Sequence, residues 1–351
     1  MKRMYSLDLM KLLLAYVVAF FHVGIMVPPG PTVAVQIFFI ISGFFLGKKF
    51  YASRSSDYNQ WDYTLDHVKS LYPHYLFSMI VLFLYLTARE IVYLVKDPGW
   101  SQVGDLLLSV YNQIPDILLL QSAYHFHDSM NYPLWQISAL LIAGYFVFGL
   151  LCHDEKLSRT LIFPAAILMI QSLLNTGIDL WANYGPFYMP LLRAFSPLCI
   201  GVLTYYFTTT QYWAKLKQKA VFFNVISVLA LVSIVALGDY DIIFLITTPL
   251  VLLACCEEHS WINSVLNRRI FRCCGKMSYA VYLNHALIQR FLYTFSHQLL
   301  QFSLDSSSFS CIMFLDIFLS PFECLLATFI LPGFWEYVYS FLRNILYLIY
   351  R

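Results

Sequence analysis

The amino-acid sequence predicts an all-α fold: a polytopic membrane protein with about ten transmembrane helices and both termini in the cytoplasm. The first observation is composition, because 60% of the 351 residues are hydrophobic and only 12% are charged, against about 25% charged in soluble domains. The second is a series of long apolar runs, and the third is an uneven distribution of Lys and Arg between those runs. Charge this sparse excludes a soluble globular surface, whereas it suffices for the loops of a helical membrane protein.

The apolar runs set the predicted number of spans. A helix that rises ~1.5 Å per residue needs about 20 apolar residues to cross a ~30 Å hydrocarbon core, and several runs are shorter. Asp8 and Lys11 interrupt the first run, which has no small-residue cleavage site, so we interpret it as an anchor rather than a removable signal peptide. The runs lie at 5–27, 32–47, 74–95, 133–151, 160–176, 186–207, 220–237, 241–256, 277–297 and 310–331.

Basic residues orient these spans. With the N-terminus inside, seventeen Lys and Arg residues fall in cytoplasmic segments, and only Arg89 and Lys96 fall near the outer face. This bias is the positive-inside pattern of inner-membrane proteins. We therefore predict one transmembrane domain over residues 1–332, because no internal repeat or soluble domain is visible in the sequence.

Two further apolar segments do not fit as spans. Segment 105–121 carries Asn112, Gln113, Pro115 and Asp116 in its middle. A crossing there would turn the later basic loops outward, so we predict a re-entrant or interfacial piece of an outer loop. Residues 333–351 are short for a span and polar in the middle, and we predict an interfacial helix on the inner face.

The first helix carries the most informative side chains. Lys11 and His22 lie on one stripe, because eleven residues at ~100° each amount to three turns plus ~20°, and Asp8 lies ~40° from His22. Ionisable groups inside the bilayer cost ~2.5–3.5 kcal/mol on insertion scales and mark functional sites by default. A histidine that exchanges a proton near neutral pH suits catalysis. The structural alternative is a lysine paired with Asp8 and a histidine hydrogen-bonded to a neighbouring helix.

Several motifs, taken in chain order, resemble the pattern of acyltransferase family 3. Members of that family are integral membrane enzymes that move an acyl group, often acetyl, from cytoplasmic acyl-coenzyme A to a cell-envelope sugar. The resemblance implies an inner (plasma) membrane protein with acyl-CoA, a carbohydrate acceptor and membrane lipids as partners. It implies no nucleic acid, no metal and no permanently bound cofactor. The motifs are Lys11 with His22, FFIISGF (38–44), Lys69 ahead of Tyr72-Pro73, PLWQISALL (133–141) and GKMSYAVYLNH (275–285).

The resemblance also assigns roles to residues. His22 matches the catalytic histidine, and Lys11 matches its basic partner, which is usually an arginine with a bidentate fork that lysine lacks. A pair of arginines three residues apart commonly precedes the third span, where this chain offers Lys69. The residues expected to bind the acyl donor are Lys11, Ser42, Gly43, Lys48 and Lys69.

Other polar or aromatic residues in the spans are candidates for the acceptor site. Arg193 and Arg290 could instead form structural ion pairs with Asp316, because buried charge must be compensated in any case. His285 is either a site residue or a satisfied core histidine, and Trp135 is either an interface aromatic or a sugar-stacking one. Ser42 and Gly43 could be packing residues. The candidates are Asp8, Trp135, Arg193, His285, Arg290 and Asp316.

Two mechanisms and a competing class of protein remain open from the sequence. His22 could deprotonate a sugar hydroxyl as it attacks the thioester, or it could carry the acyl group as an acyl-histidine. A transporter of a polar or glycan-related substrate would also place charges within the membrane, but it commonly shows inverted repeats, which the sequence lacks.

Overall fold

The computed structural model describes residues 4–22, 24–96, 98–123, 129, 131–176, 183–184, 187–236, 241–257 and 260–294. Almost all of these residues are helical, which confirms the predicted all-α class. The predicted tenth span at 310–331, the boundary between residues 332 and 333, and the predicted C-terminal helix lie outside the described residues.

The longer helices are α1 (Tyr5–His22), α2 (Pro31–Ser53), α3 (Gln60–Lys96), α4 (Trp100–Ile117), α5 (Trp135–His153), α7 (Phe163–Leu174), α8 (Met189–Phe207), α10 (Ala220–Ala236), α11 (Asp241–Cys256) and α13 (Cys274–Thr294). Among the described residues, nine of these ten longer helices lie at predicted runs, although α3 begins fourteen residues before its run and α2 ends six residues after its run, and α4 lies at segment 105–121. Short helical elements connect them: α6 (Glu155–Leu157), α9 (Gln211–Leu216), α12 (Trp261–Leu266), a π-helical turn (Ser158–Ile162) and two 3₁₀ turns (Tyr132–Leu134 and Arg269–Arg272). Two short strands, β1 (Asn183–Tyr184) and β2 (Phe187–Tyr188), form an antiparallel pair.

Six helical segments in the described part of the chain are long and apolar enough to cross a membrane. α10 and α11 are apolar but shorter, and α13 has 21 residues but does not belong to the six. A helix is present at each of the first nine predicted runs, while the total of ten spans and the side of the termini stay predictions. The six segments are Tyr5–His22, Pro31–Ser53, Gln60–Lys96, Tyr132–His153, Glu155–Leu174 and Met189–Phe207.

Glycine and proline set the connection between α1 and α2. Gly24 has φ of 83° just after α1, a left-handed conformation that favours glycine at the end of a helix. Gly30 has φ of 82°, and Pro31 begins α2 at the position where its missing N–H costs nothing. The positions of these glycines and of the proline therefore explain where α1 ends and where α2 begins.

α13 runs parallel to both α1 and α3. Along α3, the carbonyl of Leu71 accepts from Tyr279 (2.9 Å), and Tyr85 donates to the carbonyl of Arg290 (3.2 Å). Along α1, the amide of Gln289 donates to the carbonyl of Ala19 (3.2 Å). The three helices point the same way, as the alternation of predicted spans one, three and nine requires.

α2 and α8 are also parallel, and their main chains touch. A β-carbon at Gly43 or Gly201 would overlap main-chain atoms of the other helix. Gly43 lies against Leu198 and, one turn later, Gly47 lies against Val202, so the two helices advance in the same direction. If α4 crossed the membrane together with α3, α5, the α6–α7 segment and α8, then α2 and α8 would be antiparallel. Their parallel contact supports a non-crossing α4.

The surface of α4 fits the same conclusion. Large apolar side chains are exposed along α4 beside the exposed Ser101 and Asp105, while Gln113 and Asp116 are buried. α4 is absent from the segments apolar enough to span. The predicted re-entrant or interfacial segment is therefore a helix with a largely apolar outer face. Its exposed apolar residues are Trp100, Leu107, Leu108, Val110, Tyr111 and Ile114.

Candidate active site

Two histidines from distant parts of the sequence meet between α1 and α13. The rings of His22 and His285 stack with their centroids 5.3 Å apart and 20° between their planes. His285 is fully buried, whereas His22, at the end of α1, is partly exposed. The predicted catalytic histidine therefore has a second imidazole as its immediate neighbour.

The hydrogen bonding of His285 fixes its tautomer. Nδ1 lies 3.1 Å from the carbonyl oxygen of Val281, one turn earlier in α13. Because a carbonyl only accepts, the neutral ring carries its proton on Nδ1, which leaves Nε2 as an acceptor. Nε2 is buried and has no hydrogen-bond partner among the described residues. An unsatisfied buried acceptor costs about 1–3 kcal/mol, so this atom is a candidate to interact with a ligand.

Tyr132 and Arg290 complete the surroundings of His22. The Tyr132 ring meets the His22 ring edge-on, with 4.8 Å between centroids. The Arg290 guanidinium lies 5.8 Å from the centroid of Tyr132. Arg290, a predicted acceptor-site candidate, thus reaches the histidine pair through one aromatic ring.

A cavity of about 230 Å³ lies between α1, α2, α3, α5 and α13. Two predicted donor-binding residues, Lys11 and Ser42, line it, while the other lining residues were not predicted. The remaining wall consists of Phe38, Leu71, Gln136, Ile137, Leu140, Gly275, Ser278, Tyr279 and Tyr282.

Tyr282 separates this cavity from the histidines. It lines the cavity, and its ring lies 5.8 Å from the ring of His285 and 6.3 Å from that of Phe38. Its hydroxyl donates to the carbonyl of Pro133, which holds the ring in place. His22 does not line the cavity, so the route from Lys11 to His22 passes Tyr282 and His285.

Two predicted cationic residues share one aromatic ring. The Lys11 ammonium lies 5.0 Å from the centroid of Phe45, and the Lys48 ammonium lies 5.8 Å from it. A ring face attracts cations by up to about 2 kcal/mol when they are desolvated. The contact holds two cationic groups near one end of the cavity.

Lys69 lies apart from that ring, on the exposed beginning of α3. Its neighbourhood includes Asp66, which pairs with Lys49 (3.2 Å) and accepts from the Tyr58 hydroxyl (2.7 Å). Burial and this hydrogen bond raise the pKa of the Tyr58 phenol, so it stays a donor. A carboxylate therefore offsets part of the positive charge beside Lys69.

Ser42 and Gly43 lie on different faces of α2. The Ser42 hydroxyl donates to the carbonyl of Phe38 (2.8 Å), which leaves its oxygen able to accept. Gly43 faces away from the cavity, against α8, where only glycine fits between the two main chains. The structure therefore places Gly43 in helix packing, and a donor in the cavity would not contact it.

Asp8 lies at the beginning of α13. A β-carbon at Gly275 would overlap its carboxylate, so the acid packs directly on the first turn of that helix. A negative charge near a helix N-terminus is favourable by roughly 0.3–1 kcal/mol. Asp8 thus joins the parallel helices α1 and α13 at one end, fourteen residues before His22 on α1 and, at Gly275, ten residues before His285 on α13.

Trp135 and Arg193 form a buried contact away from the histidines. Trp135 is only 8% exposed, and the Arg193 guanidinium lies 5.1 Å from its centroid. Trp135 therefore packs inside the protein, and the choice between an interface aromatic and a sugar-stacking one stays a prediction. The Ser122 hydroxyl donates to the Trp135 carbonyl (2.7 Å). Asp316, the predicted partner of both arginines, lies outside the described residues.

Sequence reasoning missed Tyr132 and Gln136. Both flank the PLW of the motif at 133–141, but a single tyrosine or glutamine within an apolar run does not by itself indicate a functional site. Tyr282 belongs to the motif at 275–285 but was not singled out there. Only the packing of α13 against α1 and α5 reveals their positions.

The chain was compared with known proteins in three ways. No curated protein and no solved structure matches it. A family model described as an acyltransferase domain matches residues 4–347, essentially the whole chain. The match includes both histidines, Lys11 and every lining residue of the cavity, and the chain belongs to the acyltransferase 3 family.

Proposed function

We propose that the protein transfers an acyl group, acetyl by default, from cytoplasmic acyl-CoA to a hydroxyl of an envelope or extracellular polysaccharide. Membership of an acyltransferase family supports an acyl-transferring membrane enzyme. The observation that carries the finer proposal is the histidine pair beside a cavity with a cationic end. We place the enzyme in the inner (plasma) membrane, as the bias of basic residues favours.

The cationic end suits the anionic part of the donor. Lys11 and Lys48 flank the Phe45 ring, and two cationic groups there would attract a phosphate of CoA. A cavity of about 230 Å³ is smaller than the 300–1,000 Å³ typical of drug-sized ligands, so it suits an arm and not a nucleotide. The nucleotide would then bind outside, near Lys48 and Lys69.

The histidine pair suits the transfer step. His22, neutral at rest, takes the proton of the acceptor hydroxyl while that oxygen attacks the thioester carbonyl. The new C–O bond forms as the C–S bond breaks, and the proton passes to the departing thiolate. Neutral His285 stacks on the imidazolium that forms at His22, and its Nε2, which has no hydrogen-bond partner among the described residues, stays available as an acceptor.

Tyr132 and Arg290 are suited to the acceptor. They lie on the side of His22 away from Lys11, and a sugar hydroxyl group is a good partner for both a phenol and a guanidinium. Arg290 would also stabilise negative charge on the attacking oxygen.

The test uses inverted membrane vesicles from cells that make the protein. We expect radiolabelled acetyl-CoA to transfer label to membrane-associated glycan, and we expect mass spectrometry of envelope glycans to show acyl groups that cells lacking the gene do not have. A transporter would neither transfer the label nor hydrolyse the donor. If vesicles from cells that make the protein transferred no label from acetyl-CoA to glycan, the proposal would be overturned.

A further inference from the structure

The hydroxyl groups that line the cavity are already used as donors. Each one donates to a main-chain carbonyl, so none of them needs a ligand for its proton. The pairs are Ser42 with Phe38 (2.8 Å), Ser278 with Gly275 (3.0 Å), Tyr279 with Leu71 (2.9 Å), and Tyr282 with Pro133.

Gln136 differs from these hydroxyls. It lines the same cavity from the first turn of α5 and is only 8% exposed. Its Oε1 is buried and accepts no hydrogen bond from the described residues. Other glutamines do bond through their amides, as Gln171 does to Ser196 (3.1 Å) and Gln289 to Ala19 (3.2 Å). Gln36, Gln113 and Gln121 also have a buried Oε1 that accepts no hydrogen bond from the described residues, but none of the three lines this cavity.

An unsatisfied amide in a cavity wall indicates a polar ligand. Leaving such a group unpaired costs about 1–3 kcal/mol, which a ligand that hydrogen-bonds to it would recover. The complementary partner is another amide, because an amide offers an N–H to Oε1 and a C=O to Nε2. Most of the surrounding wall is apolar, as a slender aliphatic arm requires.

We propose that Gln136 recognises an amide of the arm that carries the donor's thioester. The inference rests on the proposed function, because it takes acyl-CoA as the donor. The arm would extend from the Lys11 and Lys48 end, pass Gln136, and present its thioester toward Tyr282 and the histidines. Gln136 is then a binding residue for the donor and takes no part in proton transfer.

The experiment compares donors that differ in amide content. Inverted vesicles that contain wild-type or Gln136→Met protein are given acetyl-CoA, S-acetyl-N-acetylcysteamine, which keeps a single amide, or S-acetylmercaptoethanol, which has none. Methionine keeps the unbranched shape of glutamine without its amide. We expect Gln136→Met to raise KM about tenfold for both amide-bearing donors, equivalent to about 1.4 kcal/mol, with kcat and the KM for S-acetylmercaptoethanol unchanged.

Leu140→Met is the matched control, because it reshapes the same wall without removing an amide. We expect any effect of Leu140→Met to be equal for all three donors. A thermal-unfolding midpoint near that of the wild type excludes misfolding of Gln136→Met.

Three results would overturn the inference. Equal KM values for wild type and Gln136→Met with every donor would do so, as would an equal rise for the amide-free donor. A rise in the glycan concentration needed for half-maximal rate, with donor KM unchanged, would assign the cavity to the acceptor. If wild-type vesicles show no transfer that depends on His22, the proposed function fails first, and the two failures are therefore distinguishable.

Discussion

His22 and His285 stack at 5.3 Å between ring centroids although they lie on α1 and α13, the first and last described helices. Two imidazoles this close repel each other when both are charged, so a proton on one ring disfavours a second proton on the other. The proposed reaction requires the histidine pair to hold only one extra proton, which it takes from the acceptor hydroxyl and passes to the thiolate.

His22→Ala removes the proposed base. We expect acyl transfer to fall by roughly 10²–10⁴-fold, the typical contribution of general acid–base catalysis, while the protein still accumulates in the membrane. Transfer of radiolabel in vesicles measures the loss. His153→Ala is the matched control, since His153 is exposed at the end of α5, and it should retain full activity. Normal transfer by His22→Ala would remove this residue from the mechanism.

His285→Phe keeps a ring against His22 but deletes the buried Nε2. If His285 served only in packing, kcat would stay close to the wild-type value. We expect instead a loss of kcat of about tenfold or more with little change in donor KM, because the missing acceptor acts in the transfer step. A thermal-unfolding measurement in detergent shows whether the phenylalanine variant is folded.

Lys11 tests the role of charge at the Phe45 ring. We expect Lys11→Arg to retain activity and Lys11→Ala to lose most of it, mainly through a higher KM for acyl-CoA, because both cations but not alanine attract a phosphate. Initial rates at varied acyl-CoA concentration make the comparison. Equal activity of the two variants would show that this charge does not serve donor binding.

Tyr282 tests the barrier between the cavity and the histidines. Tyr282→Ala removes the ring that touches both Phe38 and His285, so we expect acyl-CoA hydrolysis in the absence of acceptor to increase several-fold. Tyr282→Phe keeps the ring and loses only the bond to Pro133, worth about 1 kcal/mol. Release of free CoA from the purified protein measures hydrolysis, and equal rates for the two variants would contradict a barrier role.

Gly43→Ala and Gly201→Ala test the contact between α2 and α8. Each methyl group would overlap main-chain atoms of the other helix, so we expect a loss of about 1–3 kcal/mol in the free energy of unfolding. Gly104→Ala is the control within α4, where nothing lies within 4 Å, and alanine there should be neutral or stabilising by up to about 1 kcal/mol. Thermal unfolding in one detergent compares all three, and equal midpoints would contradict the close contact.

The helices could be predicted from the sequence because each apolar run is a local property. The run at 133–151 corresponds to α5 with a shift of two residues at each end, and the run at 32–47 corresponds to α2, which extends six residues further. That Lys11 and His22 share one face of α1 could also be predicted, because it follows from the period of the α-helix alone. The family resemblance drawn from these motifs is confirmed over residues 4–347.

What lies between the helices could not be predicted. Trp135 lies at the predicted outer end of a span, yet its side chain is buried, and Asn131 just before it donates to the carbonyl of Leu283 (3.0 Å). Gly43 and Ser42 are adjacent in the sequence, and only the packing of α8 decides that one touches a helix and the other a cavity. The meeting of His22 with His285 likewise depends on the parallel packing of α1 and α13.

The touching main chains of α2 and α8 have a mechanical consequence. At Gly43 and Gly201 no side chain separates the two main chains, so no rotamer change could let α2 and α8 move relative to each other there. We expect the two helices to behave as one rigid unit. If the proposed acceptor needs a wider opening, we expect the α1–α13 pair to move relative to the α2–α8 pair. Because His22 and His285 lie on α1 and α13, a joint movement of these two helices would keep the distance between the two rings unchanged.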